Sequence, residues 1–183
     1  RVAFAKNDAT KMAEYARRAY AKSPLVETAW IRGDAETMLG NAGAAAAAYA
    51  TVEKEGRRTD PRTLASFFAT KARTPAELAE AVALAKAELA VRPDIWSEDA
   101  LAWALHKSGK SKDALALVEH ARVLGVKDSR LLYHQGAIRI ATGDAKGGRA
   151  LLDSAMKLNR AFELTGSREL EALAAPERSG KTR

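Results

Sequence analysis

The sequence predicts an all-α fold of stacked helix hairpins, on three observations. The first is composition: of 183 residues 41 are Ala and 19 are Leu, while aromatics make up 6%, a balance that favours helices over sheets. The second is periodicity. Successive segments carry apolar residues three and four apart, the stripe of one helix face. The third is self-similarity at one constant offset, the step from Leu84 to Val118 and again from Val118 to Leu152. At the same offset Ala83, Leu117 and Leu151 fall in line, as do Ala87, Ala121 and Ala155, and Ala90, Leu124 and Leu158. The breakers Pro75, Gly109 and Gly143 share that alignment, so it does not rest on the abundance of alanine.

Each element has a local cause. Lys11 to Lys22 reads as the second helix of a pair that ends at Ser23-Pro24. Only Arg1 to Ala5 stand where its partner is due, so the sequence is expected to open inside a repeat. Glu27 to Leu39 and Ala44 to Glu55 form a pair around Gly40 and Gly43. Asp60 caps, and Pro61 opens, a short helix holding Leu64, Phe67 and Phe68. Thr74-Pro75-Ala76-Glu77 has the form of a capping box, and its helix runs to about Val91, before Pro93. Trp96 to Lys107 sets Ala100, Leu101, Ala104 and Leu105 on one face, and Gly109 breaks it. Ser111 is the expected N-cap of the next helix, which carries Ala114, Leu115, Leu117, Val118, Ala121 and Leu124 on one side and ends at Gly125. Leu131 to Ala141 and Ala150 to Leu158 repeat the plan around Gly143-Asp144, with Asp144 as N-cap. Ser167 to Ala175 reads as a final helix covering the last apolar face.

These elements make one domain over 1–175 with about four units: 7–56 with an incomplete first unit, 57–93, 94–127 and 128–161, then a capping helix at 165–175. The basic stretch 176–183 is expected to be a disordered tail. Ala87, Ala121 and Ala155 are expected where the two helices of a hairpin cross, because a larger side chain would force the axes apart. Leu84, Val118 and Leu152, three positions earlier, would then fill the space between units.

The stretch Arg92 to Asn159 resembles two consecutive units of a bacterial tetratricopeptide repeat (TPR) protein. The marks are Leu101 and Gly136 in first helices, Gly109 and Gly143 in turns, Ala114 and Ala121 in one second helix and Ala155 in the next, with Pro24 and Pro93 closing units. The resemblance extends over about 7–160. It departs at Gly148, where Ala is usual, at Gln135, where an apolar residue is usual, and at Glu88, which falls on a small-residue position if Pro93 sets the alignment. The resemblance implies a right-handed α-solenoid of TPR-like hairpins. It also implies a non-enzymatic scaffold, without cofactor, that binds a peptide or partner protein in a concave groove lined by first helices. On that placement the groove residues are Trp30 and Asp34; then Trp96, Asp99, Trp103, His106 and Lys107; then Arg130, Tyr133 and His134. Aromatics beside charges give apolar anchors and directional polar contacts. Trp30 and Trp103 have an alternative place, packed between units.

Other chemistries find little in the sequence. Without cysteine there is no disulfide, no thiolate metal site and no cysteine nucleophile. No apolar run is long enough to span a membrane. His106, His120 and His134 recur at an even spacing, but His120 belongs to a second helix and the others to first helices, so no metal site is expected. Gly147-Gly148 lacks the Lys-Ser/Thr of a phosphate loop, and Glu98-Asp99 suits a helix start without any catalytic role. The formal charge is +7, from 30 Lys and Arg against 23 Asp and Glu. Basic residues such as Arg17-Arg18 and Arg57-Arg58 are dispersed among acids, which argues against a nucleic-acid partner. A basic nucleic-acid-binding helical repeat and the docking part of a larger enzyme stand as alternative readings. The sequence leaves both a cytoplasmic and an exported location open.

Overall fold

The computed structural model describes residues 2–72, 74–162 and 164–174, which form eleven α-helices and no strand. After α1 (Val2–Ala5) and α2 (Ala9–Lys22), the helices pack as consecutive pairs. These are α3 (Val26–Met38) with α4 (Ala42–Thr59), α5 (Pro61–Lys71) with α6 (Pro75–Val91), α7 (Ile95–Lys107) with α8 (Ser111–Val123), and α9 (Ser129–Ala141) with α10 (Ala145–Asn159). The first helices of the pairs also pack on one another in order, α3 on α5, α5 on α7 and α7 on α9. The second helices have no comparable contact with each other among the described residues. The first helices therefore present one continuous face. The last helix, α11 (Leu164–Ala174), leaves the row and lies back across that face, touching α9, α10 and α5. No described helix is long and apolar enough to cross a membrane.

Helix starts follow the side-chain chemistry. Asp60 accepts from the Thr63 N–H (3.1 Å) with Pro61 in the first turn, and Thr74 and Glu77 form the reciprocal capping box. Asp144 accepts from the Gly147 N–H at 2.8 Å. Asp94 and Asp128 cap α7 and α9 in the same manner. Ser111 is a correction: it is the first residue of α8 rather than its cap, and its hydroxyl lies 2.9 Å from His106 Nδ1. Gly109 turns the chain between α7 and α8 at φ +79°, a left-handed conformation that a side chain would strain.

The helix pairs close through small residues, and the pairing shifts the alignment read from the sequence. In α10 the buried positions are Gly148, Leu152 and Ala155; in α8, the buried Ala114 and Val118 match Gly148 and Leu152 at the offset read from the sequence. In α6 the buried positions are Ala81, Ala85 and Glu88, so the step from α6 to α8 is shorter by a single position. Ala87 is exposed, and the helix crossing falls to its neighbours. Glu88 takes the small-residue position, where Arg92 Nη2 reaches it at 2.5 Å. Ala90, Leu124 and Leu158, aligned as a core position, are exposed, the two leucines by 56% and 50%. The side chain of Ala121, like residues 175–183, lies outside what the structure describes.

A close crossing joins α9 and α10. A Cβ built on Gly148 would stand 2.6 Å from the Gly136 carbonyl oxygen and 2.6 Å from Ile140 Cγ1. A Cβ on Gly136 would stand 2.6 Å from Leu152 Cδ2. Gly148 in place of Ala thus lets the two backbones meet. The core runs along the seam between pairs, through Val52, Leu64, Phe68, Trp103, Tyr133 and Leu152.

Candidate functional site

The first-helix face has two regions, and the ten expected groove residues divide between them. In one, Lys107 and Tyr133 meet α11 through Glu169, His106 and His134 stack on Trp103, and His134 reaches Asp99. Trp30, Asp34, Trp96 and Arg130 line the other, an open cavity.

The covered region is built on Trp103, which is 2% exposed. Its ring stacks on His134 of α9, with centroids 4.0 Å apart and planes 11° apart, and its Nε1–H donates to Thr70 Oγ1 at 3.2 Å. His134 Nδ1 stands 2.8 Å from the buried carboxylate of Asp99, so this pair ties α7 to α9. His106 also stacks on Trp103, with centroids 5.1 Å apart. Burial, with Lys107 and His134 close by, pushes the His106 pKa down to about 4, so its imidazole is neutral at pH 7. Lys107 Nζ lies over the Trp103 ring at 5.2 Å.

Helix α11 closes on this floor. Glu169 accepts from Lys107 Nζ at 3.2 and 3.3 Å and from the Tyr133 hydroxyl. Thr165 Oγ1 accepts from Lys71 Nζ at 2.7 Å. Lys71 is also ion-paired with Asp34 at 2.8 Å, and Asp34 accepts from the Tyr49 hydroxyl at 2.7 Å. Phe162 packs on Tyr133 just before the helix, and Leu164 and Leu170 are buried. The final helix packs on the last pair, α9 and α10, and also occupies part of the face itself.

The open region is a cavity of about 340 Å³ between the N-terminal helices, α3, α5, α7, α9 and the corner formed by Phe162 and Leu164. Trp30, 8% exposed, meets Phe67 edge to face at 5.4 Å, which places it between adjacent pairs. Trp96 is half-buried in the first turn of α7, and Ser66 and Arg62 of α5 complete the wall between them. Acids on this wall are committed elsewhere. Asp128 accepts from the N–H groups of Arg130 and Leu131 (2.9 and 3.1 Å), and Asp34 is held by Lys71 and Tyr49. The buried Nε1 of Trp30 and Nε of Arg130 have no hydrogen-bond partner among the described residues. A buried N–H without an acceptor is costly, by about 1–3 kcal/mol. The cavity itself offers apolar surface beside the Arg130 side chain.

Lys71, Arg62 and Glu169 join the site without having been picked out from the sequence. Glu169 carried a faint signal: in Leu164 to Ala174 it flanks the apolar side of an amphipathic helix, where a carboxylate needs a partner. The three evenly spaced histidines meet three different partners, Ser111, Glu98 and Asp99. Compared with known protein families the chain matches none, and no curated protein is similar to it in sequence. Fold and site define the class directly: an all-α protein of repeat-like helix hairpins whose first helices share one face.

Proposed function

We propose that the chain is a non-enzymatic interaction module of the TPR kind, binding a peptide or partner protein on its first-helix face. In this proposal that face is the concave groove of a right-handed α-solenoid. The observation that carries it is the open cavity where Trp30 of α3, Trp96 of α7 and Arg130 of α9 converge. Apolar walls give a partner's side chain somewhere to bury, and the positive charge of Arg130 on the same wall gives a carboxylate direction. The charge pattern supports a protein partner over nucleic acid. Arg17, Arg18, Arg57 and Arg58 are all ion-paired to glutamates of the chain itself, at 2.8, 3.2, 2.8 and 2.7 Å.

A peptide-display selection on the wild-type chain tests this. Enriched peptides are expected to carry a carboxylate next to an aliphatic or aromatic residue. Their affinity is expected to fall at least about tenfold for Trp96→Ala/Arg130→Ala, an effect within the range of a lost anchor. Equal affinity for both chains, with matching circular dichroism, would place the site elsewhere.

A further inference from the structure

We propose that α11 is an exchangeable internal ligand, and that the floor beneath it takes in its stead an amphipathic helix of a partner protein that carries a carboxylate between apolar residues. The inference rests on the reading of the first-helix face as the binding face, and it names the kind of partner that the covered half of that face fits.

The path of α11 is the first support. A further member of the row would pack on α9 and α10 alone, but α11 also reaches α5, two pairs back. Its polar ties run to three different first helices: Thr165 to Lys71 of α5, Glu169 to Lys107 of α7, and Glu169 to Tyr133 of α9. A helix laid across several neighbours, apolar side down, is the geometry of a helical peptide in a groove.

The chemistry of the floor is the second support. Two lysines reach α11 from α5 and α7, and Tyr133 of α9 adds a hydroxyl donor. Around them lie the rings of Trp103, Tyr133 and Phe162. Cations spaced around an apolar floor complement one acidic residue set between leucines, which is what Leu164, Glu169 and Leu170 supply. An occupant from another protein must match that pattern, because a helix without the carboxylate sets apolar surface against the Lys107 ammonium.

The third support is that α11 is separable. It has 11 residues, fewer than an isolated helix needs to persist in water, so it keeps its form by docking. The pairs from α3 to α10 hold one another through contacts that do not run through α11. Its carboxylate, 36% exposed, is reached by solvent while docked. Such an element opens locally at lower free energy than the whole molecule unfolds.

The test uses the full chain. Hydrogen exchange followed by mass spectrometry is expected to show α11 amides exchanging at least about tenfold faster than those of α9 and α10; equal rates would make α11 an integral part of the core and overturn the proposal. A labelled peptide of residues 161–174 is then added to wild type and to Leu170→Asp. The variant is expected to bind it at least about tenfold more tightly than wild type, and a peptide with Glu169→Ala more weakly. No binding by a variant with native circular dichroism would overturn the proposal. Where Leu170→Asp does not fold, Glu169→Lys, set against Lys107, opens the same helix with less loss of burial. A wild-type dimer that vanishes in Leu170→Asp would put a second copy's α11 in the site, and that too would overturn a partner's helix as the occupant. Peptides selected on the open cavity are measured in the same chains. Retained cavity binding with no exchange of α11 refutes this inference alone, whereas loss of both refutes the binding face.

Discussion

His106 shows how one residue's surroundings set its chemistry. It sits against Trp103, next to Lys107 and within reach of His134, while the carboxylate of Glu169 offsets them in part. Burial is the largest influence, and the imidazole titrates at about 4 instead of its ordinary 6.5. Between those values the unfolded chain binds a proton that the folded chain refuses. Stability from this group is therefore full above pH 6.5 and falls as the pH drops toward 4. The slope contributed by one such group is at most about 1.4 kcal/mol per pH unit, and less here because solvent screens a half-buried ring. The difference in melting temperature between wild type and His106→Asn, followed by circular dichroism, should shrink from pH 7 to pH 4.5. A difference that stays constant would remove the neutral buried imidazole from the account. Little of this could be read in the sequence. The even spacing of His106, His120 and His134 was visible, but spacing along the chain says nothing of the partners, which come from residues 5, 22 and 35 positions away.

Elements were the most legible scale, because their causes are local. Asp60-Pro61, Thr74 to Glu77 and Asp144 act through neighbours within one turn, so their capping could be foreseen. Ser111 escaped because a side chain from the preceding helix claims its hydroxyl. The alignment of α6 escaped for a different reason. Ala81, Ala83, Ala85, Ala87 and Ala90 give every face of that helix the same residue, and a pattern without contrast cannot choose a buried side. Gly148 had been visible only as a departure from the usual Ala, and the crossing with Gly136 explains it. Gly148→Ala gains up to about 1 kcal/mol in helix propensity. It also drives a methyl group into the Gly136 carbonyl and Ile140, an overpacking loss of about 1–3 kcal/mol. The variant should therefore be less stable in urea unfolding, and a stabilised variant would mean that the backbones do not approach so closely.

At the scale of the whole molecule, the sequence indicated that helices would pair and that first helices would share a face. The contacts of α3, α5, α7 and α9 follow that expectation. It also indicated a final helix covering the last apolar face, yet not the reach of that helix to α5 and α7. Amphipathicity says that α11 must cover something, and only the three-dimensional arrangement of Lys71, Lys107 and Tyr133 says what. The same limit applies to Trp30, Trp96 and Arg130. Each was assigned to one long groove with its neighbours on the same helix, but the cavity they share with Ser66 joins residues far apart in the chain.

The central claim is that a partner touches the first helices and not the second. A photo-crosslinking residue introduced at Ser66, on the cavity wall, is compared with one at the exposed Ala87 on α6, using a peptide selected on the wild-type chain. Crosslinks at position 66 and none at 87 are predicted; crosslinks at 87 with none at 66 would contradict the account.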